Sequence, residues 1–160
     1  MCGIVGIWRF AGLADDRDSA DAHAMLNAIM HRGPDGQGYW SNNRLTLGHC
    51  RLAILDPSER GLQPAITPDQ DAVLAYNGEV YNFRELRQEL ENCGIRFLSE
   101  SDTEVVLWAL YHWGVDEAVQ RFSGMFAFAY FDRRKNALWL CRDRLGIKAL
   151  SVAKSGDRLI

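Results

Sequence analysis

A cysteine at position 2, followed by the apolar run Gly3-Ile4-Val5-Gly6-Ile7-Trp8, is the residue of this sequence best placed for nucleophilic chemistry. A side chain that small permits removal of Met1, which would leave a thiol and a free α-amine on one residue. The thiolate is the reactive form. A free thiol titrates at roughly 8.5 and an α-amine at about 7.7 to 8.0, so the amine can take the thiol proton near neutral pH. A nucleophile served by its own terminal amine is a recognised activation arrangement. While Met1 is retained, that amine is tied up as an amide. The alternative is a small buried cysteine opening a core strand.

Three further groups have chemistry that could converge with such a thiol. In Tyr76-Asn77-Gly78-Glu79-Val80-Tyr81-Asn82, Asn77 offers an amide donor, and Gly78 permits unusual backbone angles and close approach of a ligand. A side-chain amide and a backbone N–H together make an oxyanion hole; Asn-Gly is equally the sequence of a tight hairpin turn. Arg51 ends Gly48-His49-Cys50-Arg51, and its fork suits a carboxylate. Asp102, just after Ser101, could bind an ammonium or interact with a helix dipole. A carboxylate binder (Arg51), an ammonium binder (Asp102 or Glu79), an oxyanion pair (Asn77 and Gly78) and a thiol (Cys2) are the parts needed to hydrolyse the side-chain amide of an amino acid. Glutamine is the natural candidate. His31 and His49 lack a carboxylate or cysteine at a supporting spacing, so no metal site is expected.

These groups need elements to hold them. The run from Gly3 to Trp8 predicts a strand buried on both faces, and a helix is expected from about Ala20 to Met30, capped by Asp18 or Ser19. His31-Arg32-Gly33-Pro34-Asp35-Gly36 reads as a loop. Short strands are expected at Gly38 to Trp40, Leu45 to Leu47, Arg51 to Leu55 and Ala72 to Tyr76. Asn82 with Glu85 predicts a helix stopped by Gly94, and Ser101 with Glu104 a second one stopped by Gly114. Met125 to Phe131 and Ala137 to Cys141 form a core hairpin about Asp132-Arg133-Arg134-Lys135-Asn136, with a third strand expected after Gly146. Antiparallel runs separated by pairs of helices indicate an α+β fold.

A chain of 160 residues suits one domain that buries roughly 68 to 70% of its unfolded surface. Its 48% hydrophobic content and four prolines describe an ordered globular protein. A net charge of −3, with no basic cluster longer than Arg133-Arg134-Lys135, gives no footprint for nucleic acid. Cys2, Cys50, Cys93 and Cys141 are too scattered for a zinc pattern and read as free thiols in a reducing compartment. Neither a secretory signal nor a membrane-length apolar run is evident. A cytoplasmic protein is therefore expected.

In order along the chain, CGIVGIW, HRGPDGQG, LGHCRLAILD, GLQP, YNGEVYNFRELR, SDTEVVLWAL, FSGMFAFAYFD and RDRLGIK resemble the class II glutamine amidotransferases, in the form found in glutamine-hydrolysing asparagine synthetases. The resemblance runs from Cys2 to about Lys148. It implies an αββα sandwich of N-terminal nucleophile hydrolase type with antiparallel sheets. It further implies Cys2 as nucleophile with its amine as base, Asn77 and Gly78 as the oxyanion hole, and Arg51, Glu79 and Asp102 as holders of the glutamine backbone groups. Residues 1–160 are then a single glutaminase domain, C-terminally truncated and without its synthetase domain. No cofactor is expected in this domain, since ATP and magnesium belong to the absent one. The expected partners are glutamine and a synthetase domain or subunit that accepts ammonia, with a homodimer allowed and neither nucleic acid nor membrane involved. The competing reading is a non-catalytic glutamine-binding or partner-binding remnant. Ala149-Leu150-Ser151 departs from the Pro-Leu-Tyr usual in the family, which bears on the last strand.

Overall fold

The computed structural model describes residues 1–53 and 58–160. Two antiparallel sheets lie face to face between helices. The first has the strand order β2 (Gly36–Ser41), β3 (Leu45–Arg51), β1 (Gly3–Arg9), β9 (Arg158–Leu159), β8 (Lys154–Ser155). The second runs β4 (Ala65–Ile66), β5 (Ala72–Val80), β6 (Gly124–Asp132), β7 (Ala137–Arg142). Helix α1 (Asp16–Ala28) covers the first sheet. Helices α2 (Phe83–Asn92), α3 (Asp102–Trp113) and α4 (Val115–Arg121) belong with the second.

The side-chain alternation of strands builds these layers. On β5, Leu74 and Tyr76 enter the core under α2 and α3, while Val73 and Ala75 enter the space between the sheets with Leu45, Leu47, Ala129 and Phe131. On β1, Val5 packs with Leu26 of α1 and Ile4 and Trp8 pack between the sheets. Strand β1 is thus covered on both faces, as its sequence predicts, and the four layers run α, β, β, α.

Several boundaries differ from those expected. Helix α1 begins at Asp16 because Asp15 is the N-cap, accepting from Arg17 N and Asp18 N while Asp18 accepts from Asp15 N. Asp18 does not cap the helix alone; it also binds Arg9 Nε at 2.5 Å, tying the helix to β1. Asn82 stands at the N-cap of α2 without capping it, since its amide bridges to Arg121 O and Ser123 N. Ser101 does cap α3, accepting from Glu104 N. Gly94 and Gly114 have φ of +89° and +83° and end α2 and α3. Helix α4 was not foreseen. The strand expected after Gly146 is absent: residues 147–153 are irregular, and the chain returns as β8 and β9, which extend the first sheet beside β1. Of the strand expected over residues 51–55, Arg51 ends β3, and Ile54 and Leu55 lie outside the described residues.

Candidate active site

Cys2 stands just before β1, where Gly3 pairs with Cys50 of β3. Its sulfur lies 3.4 Å from Leu52 N, which donates to it, and its carbonyl accepts from Arg32 Nε at 3.1 Å. Arg32 comes from the His31-Arg32-Gly33-Pro34-Asp35 segment, and that segment clamps the end of β3. Asp35 N donates to Arg51 O at 2.9 Å, and Asp35 Oδ2 accepts from Ala53 N at 2.9 Å. A side chain on Gly33 would collide with the Cys50 backbone. The glycine therefore serves the close approach that fixes both Cys2 and Arg51.

The expected end of the apolar strand at Tyr76 is corrected by the structure, in which β5 continues through Asn77, Gly78 and Glu79 to Val80. No turn forms at Asn77-Gly78. Gly78 pairs with Phe126 of β6, and it does not have the positive φ that its freedom allows. Close approach explains it instead: a Cβ there would come 2.5 Å from Met125 O and 2.7 Å from Phe126 Cβ.

The hydrogen-bond directions along β5 follow from its register. Phe126 directs both its N–H and its carbonyl toward Asp143, so Gly78 and Phe126 are a non-hydrogen-bonded pair and the Gly78 N–H points away from β6. With a period of two, Tyr76 and Val80 point the same way. The Tyr76 amide donates to Gln63 Oε1 at 2.7 Å and the Val80 amide to Asp102 Oδ2 at 3.1 Å. Among the described residues no acceptor serves the Gly78 amide. Asn77 has its side chain on the opposite face of β5, the one turned between the sheets. It is 5% exposed, and its carboxamide also has no partner among the described residues.

These groups meet in one cavity of about 200 Å³, lined by Cys2, Arg51, Asn77, Gly78, Glu79 and Asp102 together with Met1, Leu52, Gln63, Tyr76, Met125 and Lys148. All six residues singled out in the sequence are brought together. Arg51 is buried, and its Nη1 donates to Ser58 O at 2.7 Å. Asp102 is 5% exposed and accepts from the Tyr76 hydroxyl at 2.8 Å as well as from Val80 N. Desolvation pushes its carboxyl above the ordinary value; the Tyr76 and Val80 bonds act against this, and the Glu79 charge adds to it. His49 lies buried behind the site with Nε2 on Tyr76 O at 3.1 Å, and burial pushes it down to about 4. It is a neutral strut. Among the described residues no group of three or more His, Cys, Asp or Glu could hold a metal ion.

Sequence reasoning assigned no task to Arg32, Gln63, Tyr76 or Lys148. Arg32 lies in the loop segment HRGPDGQG, Gln63 in GLQP and Lys148 in RDRLGIK. Their contacts span long separations, such as Gln63 Nε2 to Thr103 Oγ1 at 3.3 Å, which no local pattern reveals.

The sequence family described as the glutamine amidotransferase domain matches residues 1–160. The chain belongs to this family. An asparagine synthetase [glutamine-hydrolyzing] of Bacillus subtilis is 39% identical over 160 residues, covering 99% of this chain and 25% of that protein. Another from Arabidopsis thaliana is 36% identical over 154 residues, covering 95% and 25%. The glutamine amidotransferase domain therefore spans about a quarter of the length of the curated relatives it matches. Among solved structures, the glutamine phosphoribosylpyrophosphate amidotransferase of B. subtilis, complexed with ADP and GMP, superposes with a TM-score of 0.81 at 22% identity, over 98% of this chain and 40% of that one. That likeness shows the fold, an αββα sandwich with antiparallel sheets.

Proposed function

We propose that this domain, once Met1 is removed, hydrolyses glutamine to glutamate and ammonia through a cysteinyl thioester. The observation that carries the reading is the convergence of the Cys2 thiol with two donors, Gly78 N–H and the Asn77 carboxamide, that have no partner among the described residues. Donors aimed at developing charge are worth most where water is excluded. Arg51 takes the α-carboxylate of glutamine, and Glu79 and Asp102 take its α-ammonium.

The freed α-amine of Cys2 accepts the thiol proton, and the sulfur attacks the carboxamide carbon. The C=O electron pair moves onto oxygen, where Asn77 and Gly78 donate to it. Collapse breaks the C–N bond as the ammonium form of the terminus returns its proton to the leaving nitrogen, releasing ammonia. Water then attacks the γ-glutamyl thioester, giving up a proton to the amine. Loss of the sulfur, reprotonated by that amine, yields glutamate and the starting thiol.

The ammonia goes to an amidation of asparagine synthetase type in a further domain or subunit, a reading supported by the names of the relatives. ATP and magnesium would serve that step, and this half needs neither. Four free cysteines fit a reducing, cytoplasmic setting. Release of glutamate from glutamine by the processed chain, and its loss on blocking Cys2 with a covalent glutamine analogue, tests the proposal. Turnover unaffected by the analogue contradicts it.

A further inference from the structure

Lys148 is 7% exposed, although a lysine is almost never fully buried unless paired. Lys148 is among the residues that line the cavity holding Cys2, and its ammonium has one partner among the described residues, Met1 Sδ at 3.3 Å. The backbone beneath it is held with unusual thoroughness. Asp143 accepts from the amides of Phe126, Leu145, Ile147 and Lys148, at 3.3, 3.2, 2.9 and 2.9 Å. Arg142 Nε donates to Lys148 O at 2.9 Å and Arg142 Nη2 to Gly146 O at 2.6 Å. Phe126 is also the residue opposite Gly78. The loop that carries Lys148 is therefore tied directly to the strand pair that presents the Gly78 amide.

Resting on the glutaminase reading, we propose that Lys148 is a positioning residue: its buried ammonium keeps the α-amine of Cys2 free to take the thiol proton once Met1 is removed. The contact with Met1 Sδ at 3.3 Å places the charge within about 10 Å of the Cys2 nitrogen, given the bond lengths between that sulfur and the next residue. Removal of Met1 takes away the sulfur and leaves the ammonium facing the new terminus. A cation there opposes resting protonation of the amine, so the free base is available near neutral pH to take the thiol proton and later to return it to the leaving nitrogen. Among the described residues, the other ionisable groups facing this terminus are Arg32 at the Cys2 carbonyl, Cys50 and Arg51 from β3, Glu79 from β5 and Asp102 from α3, with the Tyr76 hydroxyl on Asp102. Arg32 and Arg51 act in the same direction as Lys148, and Glu79 and Asp102 oppose it. At an effective dielectric of about 20, one charge at this range moves a titration midpoint by on the order of one pH unit.

The test uses the 160-residue chain with Met1 removed, and reads the pH dependence of Cys2 alkylation by iodoacetamide alongside that of kcat/KM for glutamine. K148M should move both midpoints upward by about one pH unit, and K148R should leave them near the parent values. K148Q serves as the second neutral variant if K148M melts below the assay temperature. Superimposable profiles for the neutral variants and the parent overturn the proposal. A higher glutamine KM at unchanged midpoints overturns it too, making Lys148 a substrate contact. If the processed parent alkylates with a Lys148-dependent midpoint but releases no glutamate, the electrostatic coupling stands and the glutaminase reading fails.

Discussion

Gly78 faces Phe126 across a non-hydrogen-bonded pair of β5 and β6, and this sends the Gly78 amide out of the sheet toward the Cys2 cavity. Tyr76 and Val80 flank it with amides that are already satisfied. A regular strand thus delivers a single available donor, with no strained turn.

The same pairing makes Gly78→Ala a demanding substitution. The added methyl meets Met125 O and Phe126 Cβ, so β5 and β6 must separate. The expected cost is about 1 to 3 kcal/mol of stability, with a lower kcat from the displaced amide. A variant with parent melting temperature and parent kcat would show that neither the close approach nor the amide position matters.

Asn77→Ala should depress kcat by about 10²- to 10³-fold, with a smaller effect on KM, as expected for loss of one oxyanion donor. Asn77→Asp keeps the size and places an acceptor where a donor is needed, so it should be similarly slow. Because Asn77 is mid-strand, no turn is lost in either variant. A stable Asp variant with near-parent kcat assigns Asn77 to packing alone.

Arg51→Lys and Asp102→Asn should raise the glutamine KM more than they lower kcat, since both act on groups remote from the reacting carbon. They differ in stability. Desolvation raises the Asp102 carboxyl above its ordinary value, so its protonated form is the one the fold prefers. Its stabilising contribution is full below the ordinary carboxylate range and is lost as pH rises through the raised value. Asp102→Asn should therefore gain in melting temperature relative to the parent between acid and neutral pH. Parallel melting curves across that range contradict this.

Asp143 has the opposite sign. Its four amide bonds hold the carboxyl below the ordinary value despite its desolvation. Its contribution is present above the ordinary carboxylate range and is lost as pH falls through the depressed value. Asp143→Asn should lower the melting temperature by several degrees at pH 7, and the difference should shrink in acid. A difference independent of pH would mean that the loop does not depend on the carboxylate charge.

Much of this was legible because it is local. The Ser101 cap, the stops at Gly94 and Gly114 and the hairpin from Gly124 to Arg142 depend on neighbours a few residues apart. The six site residues were legible by chemical type, and their convergence was a matter of resemblance. What local pattern could not show is set by distant contacts. Strand β9 exists because Leu159 pairs with Trp8. Asp18 and Ser19 are the caps that the local pattern suggests, whereas the reciprocal bonds of Asp15 and Asp18 put the cap at Asp15. Helix α4 is short and begins directly after Gly114, which hides it behind the stop signal of α3. Arg32 looks like a loop residue until its bond to the Cys2 carbonyl is seen.

Whether Cys2 works with its own α-amine is decided by comparing three forms of the terminus. Glutamate release should be measured for the chain with Met1 removed, for a form in which Met1 is retained, and for Cys2→Ala, with intact mass confirming each terminus. Full turnover is expected only of the processed chain, with the Met1-retaining form slower by about 10²- to 10⁴-fold, as for loss of a general base, and the alanine variant without activity. Equal rates for the processed and Met1-retaining chains, or parent-level activity in the alanine variant, would contradict it.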